Sequence, residues 1–193
     1  MKLPPKGMPR RPDPRGSPPA PLVEKIGPPV ARSPWSRDFA VQAIEVIPVF
    51  TEAGSLFWLK PVHAESLQIG LAKGGAPAAA VLDAIAWYEL RPRVVHSTSW
   101  RATGDRIVLT YLVVVEPPDT LPADSLVRLP VERAELARAK AMAAPDGIAV
   151  AAVVEHALRH LRWLLGDDPE IRVALAGWTP LLAGYEPEPF RAL

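Results

Sequence analysis

The sequence predicts an α+β protein, in which an antiparallel sheet of four or five strands, built from two hairpins, is covered on one face by two main helices. The first observation is a pair of β-branched and aromatic runs, 93–101 and 106–116, separated by a glycine-containing turn, which is typical of a hairpin. The second is the helical spacing of apolar residues in 78–90 and 148–165. A further helical region is expected at the C-terminus.

Length and composition favour one domain preceded by an arm. The chain has 193 residues, of which 49% are hydrophobic, enough to form a core. Residues 1–36 are dense in proline and basic side chains, so we expect a flexible, disordered arm there. Residues 37–193 are expected to form a single α+β domain, with sheet and helix in 37–117, a connection in 118–130 and a helical region in 131–193.

The absence of cysteine excludes disulfides, thiolate metal sites and cysteine nucleophiles. No targeting segment or membrane span is recognised, so we expect a cytoplasmic protein without a membrane partner. No cofactor motif is found, and no cofactor is expected. The net charge of +1 selects no partner by itself.

The first two strands are predicted at 39–47 and 56–62, on either side of a turn at 51–54. Pro48 and Pro61 have no amide hydrogen to donate. Both strands are therefore expected to end, or to run along a sheet edge, at these prolines.

A short third strand is predicted at 66–72, followed by the first main helix at 78–90. Pro77 suits the first turn of this helix, and Pro92 is expected to stop it. Both signals are local, because proline fixes its own backbone and restricts the residue before it.

The register of the central hairpin decides which side chains share a face. Pairing Arg101 with Arg106 predicts a core face made of His96, Thr98, Trp100, Ile107, Leu109 and Tyr111. The opposite face would carry Val95, Ser97, Ser99, Arg101, Val108, Thr110 and Leu112, a set too polar for a core. We expect a ligand or partner to bind at Ser97, Ser99, Arg101 and Thr110, because hydroxyls and a guanidinium suit a carboxylate, a phosphate or a polar protein rim. A slip of one residue would exchange the two faces.

The C-terminal part is predicted to be mainly helical. A polar, proline-punctuated connection at 119–130 leads to an alanine-rich helix at 131–144. The second main helix, 148–165, has a broad apolar face and is expected to pack on the sheet. A short helix is expected to begin at 168–170, where an aspartate precedes proline and glutamate.

Two histidines on the second main helix form the clearest candidate site. His156 and His160 are four residues apart, and helical spacing places them with Trp163 on one flank, beside a polar ridge of Glu155, Arg159 and Arg162. We expect this flank to contact a partner. The same pair could instead supply two ligands of a metal ion, with the third from His63, His96 or Glu65.

No catalytic residue is assigned from the sequence. His96 could act as a general base, but neighbouring residues of a strand point to opposite faces, so it is poorly placed to activate Ser97. A nucleophile elbow of the G-x-S-x-G type is missing.

Two resemblances bear on the family. The HSTSWR strand, the following GDRIVLTY strand and the EHALRHLRWL helix resemble a group of small proteins of high-GC bacteria, a group to which no activity is assigned. The alternation of strands and helices is also similar to that of Nudix hydrolases. The diagnostic Nudix box, a glycine followed at fixed spacing by Glu, Arg-Glu and Glu-Glu, is missing, and with it the metal-binding carboxylates.

Our leading interpretation is a non-catalytic binding or assembly module that uses the polar sheet face and the His/Trp helix flank to bind a protein partner or to form a homo-oligomer. The first alternative is a small metal-assisted hydrolase with His156 and His160 as ligands. The second is nucleic-acid binding through the basic residues of 1–34.

Overall fold

A computed structural model describes residues 41–187, apart from 73–74, 104–105, 122–123 and 137–146. The expected arm at 1–36 lies outside the described residues. The regular elements of the described part are β1 (Val41–Glu52), β2 (Ser55–Pro61), β3 (Leu67–Leu71), α1 (Pro77–Trp87), β4 (Pro92–Thr103), β5 (Arg106–Val115), β6 (Leu126–Pro130), α2 (Val150–Asp167) and α3 (Pro169–Ala174).

These strands form one mixed sheet, in the order β4-β5-β1-β2-β6, with β3 paired to β1. The α+β class and the two antiparallel hairpins, β1–β2 and β4–β5, are confirmed. The strand number and the purely antiparallel character are wrong, because the described sheet has six strands and β1 runs parallel to β5. The missed strand, β6, lies inside the predicted connection and pairs with β2. β6 is only five residues long, so its sequence pattern is weak, and its partner strand is remote in sequence.

β1 continues through Pro48, where the sequence predicted an end. On one side β1 pairs with β3 up to Val46 and with β2 from Val49 onward, so Pro48 lies between two partner strands. A missing amide donor is tolerated at such a gap. Pro61 ends β2, as predicted.

The central hairpin has a different register from the predicted one. Thr103 pairs with Arg106, and Arg101 pairs with Val108, so β4 extends two residues further towards the turn. This shift of two leaves the faces unchanged near the turn, because side chains alternate with a period of two.

A bulge at Thr98 changes the faces farther along β4. Trp100 pairs with Leu109 on one side of the bulge, whereas His96 pairs with Leu112 on the other. The extra residue turns His96 to the face opposite the one predicted. Trp100 was predicted to be in the core and is instead 69% exposed.

Both faces of the sheet are covered by hydrophobic side chains. α2 packs on one face, over Ile47, Val49, Leu112 and Val114. α1 packs on the other through Val81 and Ile85, together with Ile44, Val46, Val113 and Val115. The expectation that both main helices cover the same face is wrong. So is the expectation of an open polar face, since Val108, Thr110 and Leu112 are all buried.

The C-terminal helices agree with the sequence in part. α2 matches the prediction, and α3 begins where Asp168 accepts hydrogen bonds from the amides of Glu170 and Ile171. The predicted helix at 131–144 is not formed in residues 131–136, and its remainder lies outside the described residues. Within the described part, no helix is both long and apolar enough to cross a membrane.

Candidate functional site

Three histidines from two elements come together between α2 and β4. His156 and His160 project from one flank of α2, as their spacing predicts, and the bulge at Thr98 turns His96 onto the face that α2 covers. We call His96, His156 and His160 the histidine cluster. The sequence placed only two of them together, because a bulge cannot be read from strand periodicity.

The geometry of the cluster centres on His160. Its ring centre lies 4.8 Å from that of His156 and 6.0 Å from that of His96. The Nδ1 atom of His160 is buried and makes no hydrogen bond with any residue of the described part of the chain. A buried nitrogen without a partner loses its hydrogen bond to water, so this position carries an energetic cost that a bound ligand would relieve.

Burial favours the neutral form of His160 and of His96. Burial lowers the pKa of His160, and the neighbouring His156 and His96 lower it further, because a proton on one ring disfavours a proton on the next. Burial also lowers the pKa of His96. A neutral imidazole is the form that accepts a proton or binds a metal ion.

The titration of His160 tests this picture. We expect NMR to show that its pKa, and that of His96, is below the usual 6.5. The unfolded chain then binds more protons than the folded one between the folded pKa and 6.5, so stability falls as the pH falls through this window. A pKa of His160 at or above 6.5 would contradict the prediction.

A second polar group lies farther along the same sheet face. The Oγ atom of Ser66 donates to Glu45 Oε1 at 2.7 Å, and Arg101 Nη1 donates to Glu45 Oε2 at 2.7 Å and to Thr110 Oγ1 at 3.2 Å. We call these four residues the Glu45 network. Glu45 and Thr110 are fully or almost fully buried, whereas the Arg101 side chain keeps 20% of its exposure.

The predicted binding residues are thus divided. Ser99, Arg101 and Thr110 share one face, but Thr110 is buried, and its hydroxyl accepts a hydrogen bond from Arg101. Ser97 pairs with Tyr111 on the other face. Glu45 was missed, although a single carboxylate at an inward position of an apolar strand is a signal that could have found it.

Glu155 is also placed differently from its prediction on a polar ridge. Its carboxylate is fully buried and accepts from Arg133 Nε and Nη2 and from Arg159 Nε, each at 2.9 Å, and from the Ala134 amide at 3.3 Å. Burial raises its pKa, but these hydrogen bonds outweigh burial, so the pKa is lowered overall. The segment that carries Arg133 covers this flank, which helical periodicity alone does not show.

The histidine cluster offers the donor types of a zinc site but is not preformed as one. In the described part of the chain, no group of three or more His, Asp or Glu side chains is already arranged to hold a metal ion. Three imidazoles around one zinc ion have ring centres about 5 Å apart, given zinc–nitrogen bonds of about 2 Å. The His156–His160 separation of 4.8 Å is close to this value, and the His96–His160 separation of 6.0 Å is longer.

The other metal-ligand candidates lie elsewhere. Glu65 pairs with Lys60 at 3.7 Å, and His63 is exposed in the β2–β3 turn. Trp163, on the α2 flank beside the cluster, is half exposed.

Neither a comparison with protein-family models nor one with curated proteins gives a match. Similar solved structures include a MutT/Nudix family protein from Enterococcus faecalis, with a TM-score of 0.49 and 12% identity over 78% of this chain and 71% of that one. A putative Nudix hydrolase family member from Chromobacterium violaceum has a TM-score of 0.44 and 12% identity, covering 74% and 94% of the two chains. An Ap4A hydrolase of C. elegans has a TM-score of 0.34 and 12% identity, covering 75% and 98%.

The expectation of a non-catalytic binding or assembly module is contradicted by these findings, because the structures are named as Nudix family proteins or as a hydrolase. At this identity and with TM-scores below 0.5 they assign no role to any residue.

Proposed function

We propose that the protein is a metal-assisted hydrolase and that His96, His156 and His160 bind its metal ion. The observation that carries the proposal is the buried, unpartnered Nδ1 of His160 between two further imidazoles. Structural histidines usually have both ring nitrogens satisfied, whereas a ligand or base needs a free lone pair.

The donor set favours zinc among the common divalent ions. Imidazole nitrogen suits Zn²⁺, whereas Mg²⁺ and Ca²⁺ prefer oxygen ligands. Three histidines leave a fourth tetrahedral position open, which is the pattern of catalytic sites. When bound there, a zinc ion would lower the pKa of a water molecule and polarise the bond to be hydrolysed.

The fold positions the three histidines and provides an apolar environment for them. The histidines are attached to regular elements, β4 and α2, whose packing against each other fixes the distance between their backbones. The histidines lie between α2 and β4, elements that are joined by apolar side chains, and apolar packing limits access of bulk water. In the reaction, water oxygen bonds to the electrophilic carbon or phosphorus atom, and the leaving group departs with a proton.

Zinc stoichiometry and hydrolysis test the proposal together. We expect native mass spectrometry of the full chain, incubated with Zn²⁺ and desalted, to show one bound zinc ion per chain. The loaded protein should hydrolyse a nitrophenyl ester faster than the protein treated with a chelator. Binding of zinc to the triple variant His96→Ala, His156→Ala, His160→Ala with unchanged stoichiometry would refute the site.

Location and assembly stay proposals. The cysteine-free composition suits the reducing cytoplasm, where we place the protein. The exposed Trp100 and Trp163 support contact with a protein partner or a second copy of the chain. Size-exclusion chromatography with light scattering of the full chain tests the second copy.

A further inference from the structure

We infer that Arg101 binds an anionic group, a carboxylate or a phosphate, of the substrate hydrolysed at the histidine cluster. The inference rests on the proposed function, because it names the substrate class of the same site. It depends on three features of Arg101: how its guanidinium is held, which of its donors are open, and how far it lies from the histidines.

The guanidinium is held by the Glu45 network. The Nη1 atom of Arg101 is 2.7 Å from Glu45 Oε2 and 3.2 Å from Thr110 Oγ1. Glu45 itself is fixed by the Ser66 hydroxyl, 2.7 Å from its other carboxylate oxygen, and is 1% exposed. A guanidinium fixed by buried partners loses little rotational freedom when it binds a second anion.

The remaining donors of Arg101 are open. Within the described part of the chain, its hydrogen bonds are those to Glu45 and Thr110, and both use Nη1. The Nε and Nη2 atoms form the other edge of the planar fork, whose geometry matches two oxygens of a carboxylate or phosphate. The Arg101 side chain is 20% exposed, so part of it reaches solvent.

Strand register places Arg101 and His96 on the same face of the sheet. Arg101 pairs with Val108, but its hydrogen bond to Thr110 draws the guanidinium back along β5. His96 pairs with Leu112, two residues beyond Thr110 on the same face. Two residues of a strand span about 7 Å. A substrate whose anionic group lies about that far from the bond to be broken would contact both sites.

The carboxylate of Glu45 makes the affinity for a free anion modest. It neutralises the charge of Arg101, so an added anion meets a favourable hydrogen-bond geometry but little net attraction. Glu45→Gln keeps the size of the side chain and an acceptor for Arg101 while it removes the negative charge. We therefore expect this variant to bind anions at least about threefold more tightly than the wild-type protein.

The test uses inorganic phosphate and succinate as probes, with binding followed by NMR of the Arg101 Nε–H resonance and nearby amides in the zinc-free full chain. We expect saturable shifts in the wild type, tighter binding in Glu45→Gln, and loss of binding in Arg101→Gln. If Arg101→Gln does not fold, Arg101→Lys takes its place as the test variant. Lysine keeps the positive charge without the planar fork of arginine, so this variant should bind the anions at least about fivefold more weakly than the wild type. Arg128→Gln is the matched control, because Arg128 forms an arginine–glutamate pair with Glu52 in another part of the sheet.

Each result distinguishes this inference from the proposed function. Equal anion binding in Arg101→Lys and wild type, or weaker binding in Glu45→Gln, would overturn the role of Arg101. Saturable binding without any zinc site would refute the hydrolase but leave the anion site in place. If both sites exist, the protein should prefer a nitrophenyl ester with a terminal carboxylate to the same ester with that carboxylate methylated. This preference, measured as the ratio of the two kcat/KM values, should be at least about tenfold smaller in Arg101→Lys than in the wild type. Preference for phosphate over succinate, or the reverse, identifies the anion.

Discussion

Replacing His160 with alanine is expected to lower the affinity of the protein for Zn²⁺ by at least about a hundredfold. Loss of a residue that only orients a ligand costs 10- to 100-fold in metal affinity, so loss of a ligand should cost at least as much. His160 is the central ring, within 4.8 Å of His156 and 6.0 Å of His96. Its removal leaves two imidazoles on either side of a gap.

Competition with a chromogenic chelator measures the zinc affinity of the wild type and of His160→Ala. His63→Ala is the control, because His63 is exposed in the β2–β3 turn and is not part of the cluster. Circular dichroism should show that both variants are folded, since alanine removes an unpartnered buried nitrogen along with the ring. Equal zinc affinities of His160→Ala and His63→Ala would exclude His160 as a ligand.

Replacing Glu155 with alanine is expected to lower the free energy of unfolding by about 3 kcal/mol. Its buried carboxylate joins Arg133 and the Ala134 amide, from the segment before α2, to Arg159 of α2 itself. Removing it leaves Arg159, 17% exposed, without this acceptor. The effect should be at the low end of the range for buried ion pairs, because Arg133 is half exposed and can turn to solvent.

Urea unfolding at pH 7 measures the loss, and Glu52→Ala, at an exposed pair, should cost less than about 1 kcal/mol. The pH dependence gives an independent check. The folded pKa of Glu155 is lowered, so its contribution is complete above the unfolded value of about 4.5 and is lost as the pH falls below it, through the folded pKa. Glu155→Gln should flatten the stability curve in this acid range. An unchanged slope there would show that the carboxylate does not stabilise the fold.

The candidate site was predictable only where it depended on one element. The side-by-side placement of His156 and His160 follows from helical geometry, and so does their proximity to Trp163. The third imidazole does not follow, because the bulge at Thr98 turns His96 onto the helix-covered face. Arg101 was predicted as a binding residue from its chemistry, whereas its buried anchor, Glu45, lies 56 residues away in sequence.

The fold shows the same division. The α+β class, both hairpins and the positions of α1, α2 and α3 were predictable from the sequence, because these depend on periodicity, proline and capping over a few residues. Only the tertiary structure decided the parallel pairing of β1 with β5, the addition of β6, and the burial of both sheet faces. These features depend on contacts between segments far apart in the chain, and a single inserted residue in one strand decides which side chains meet α2.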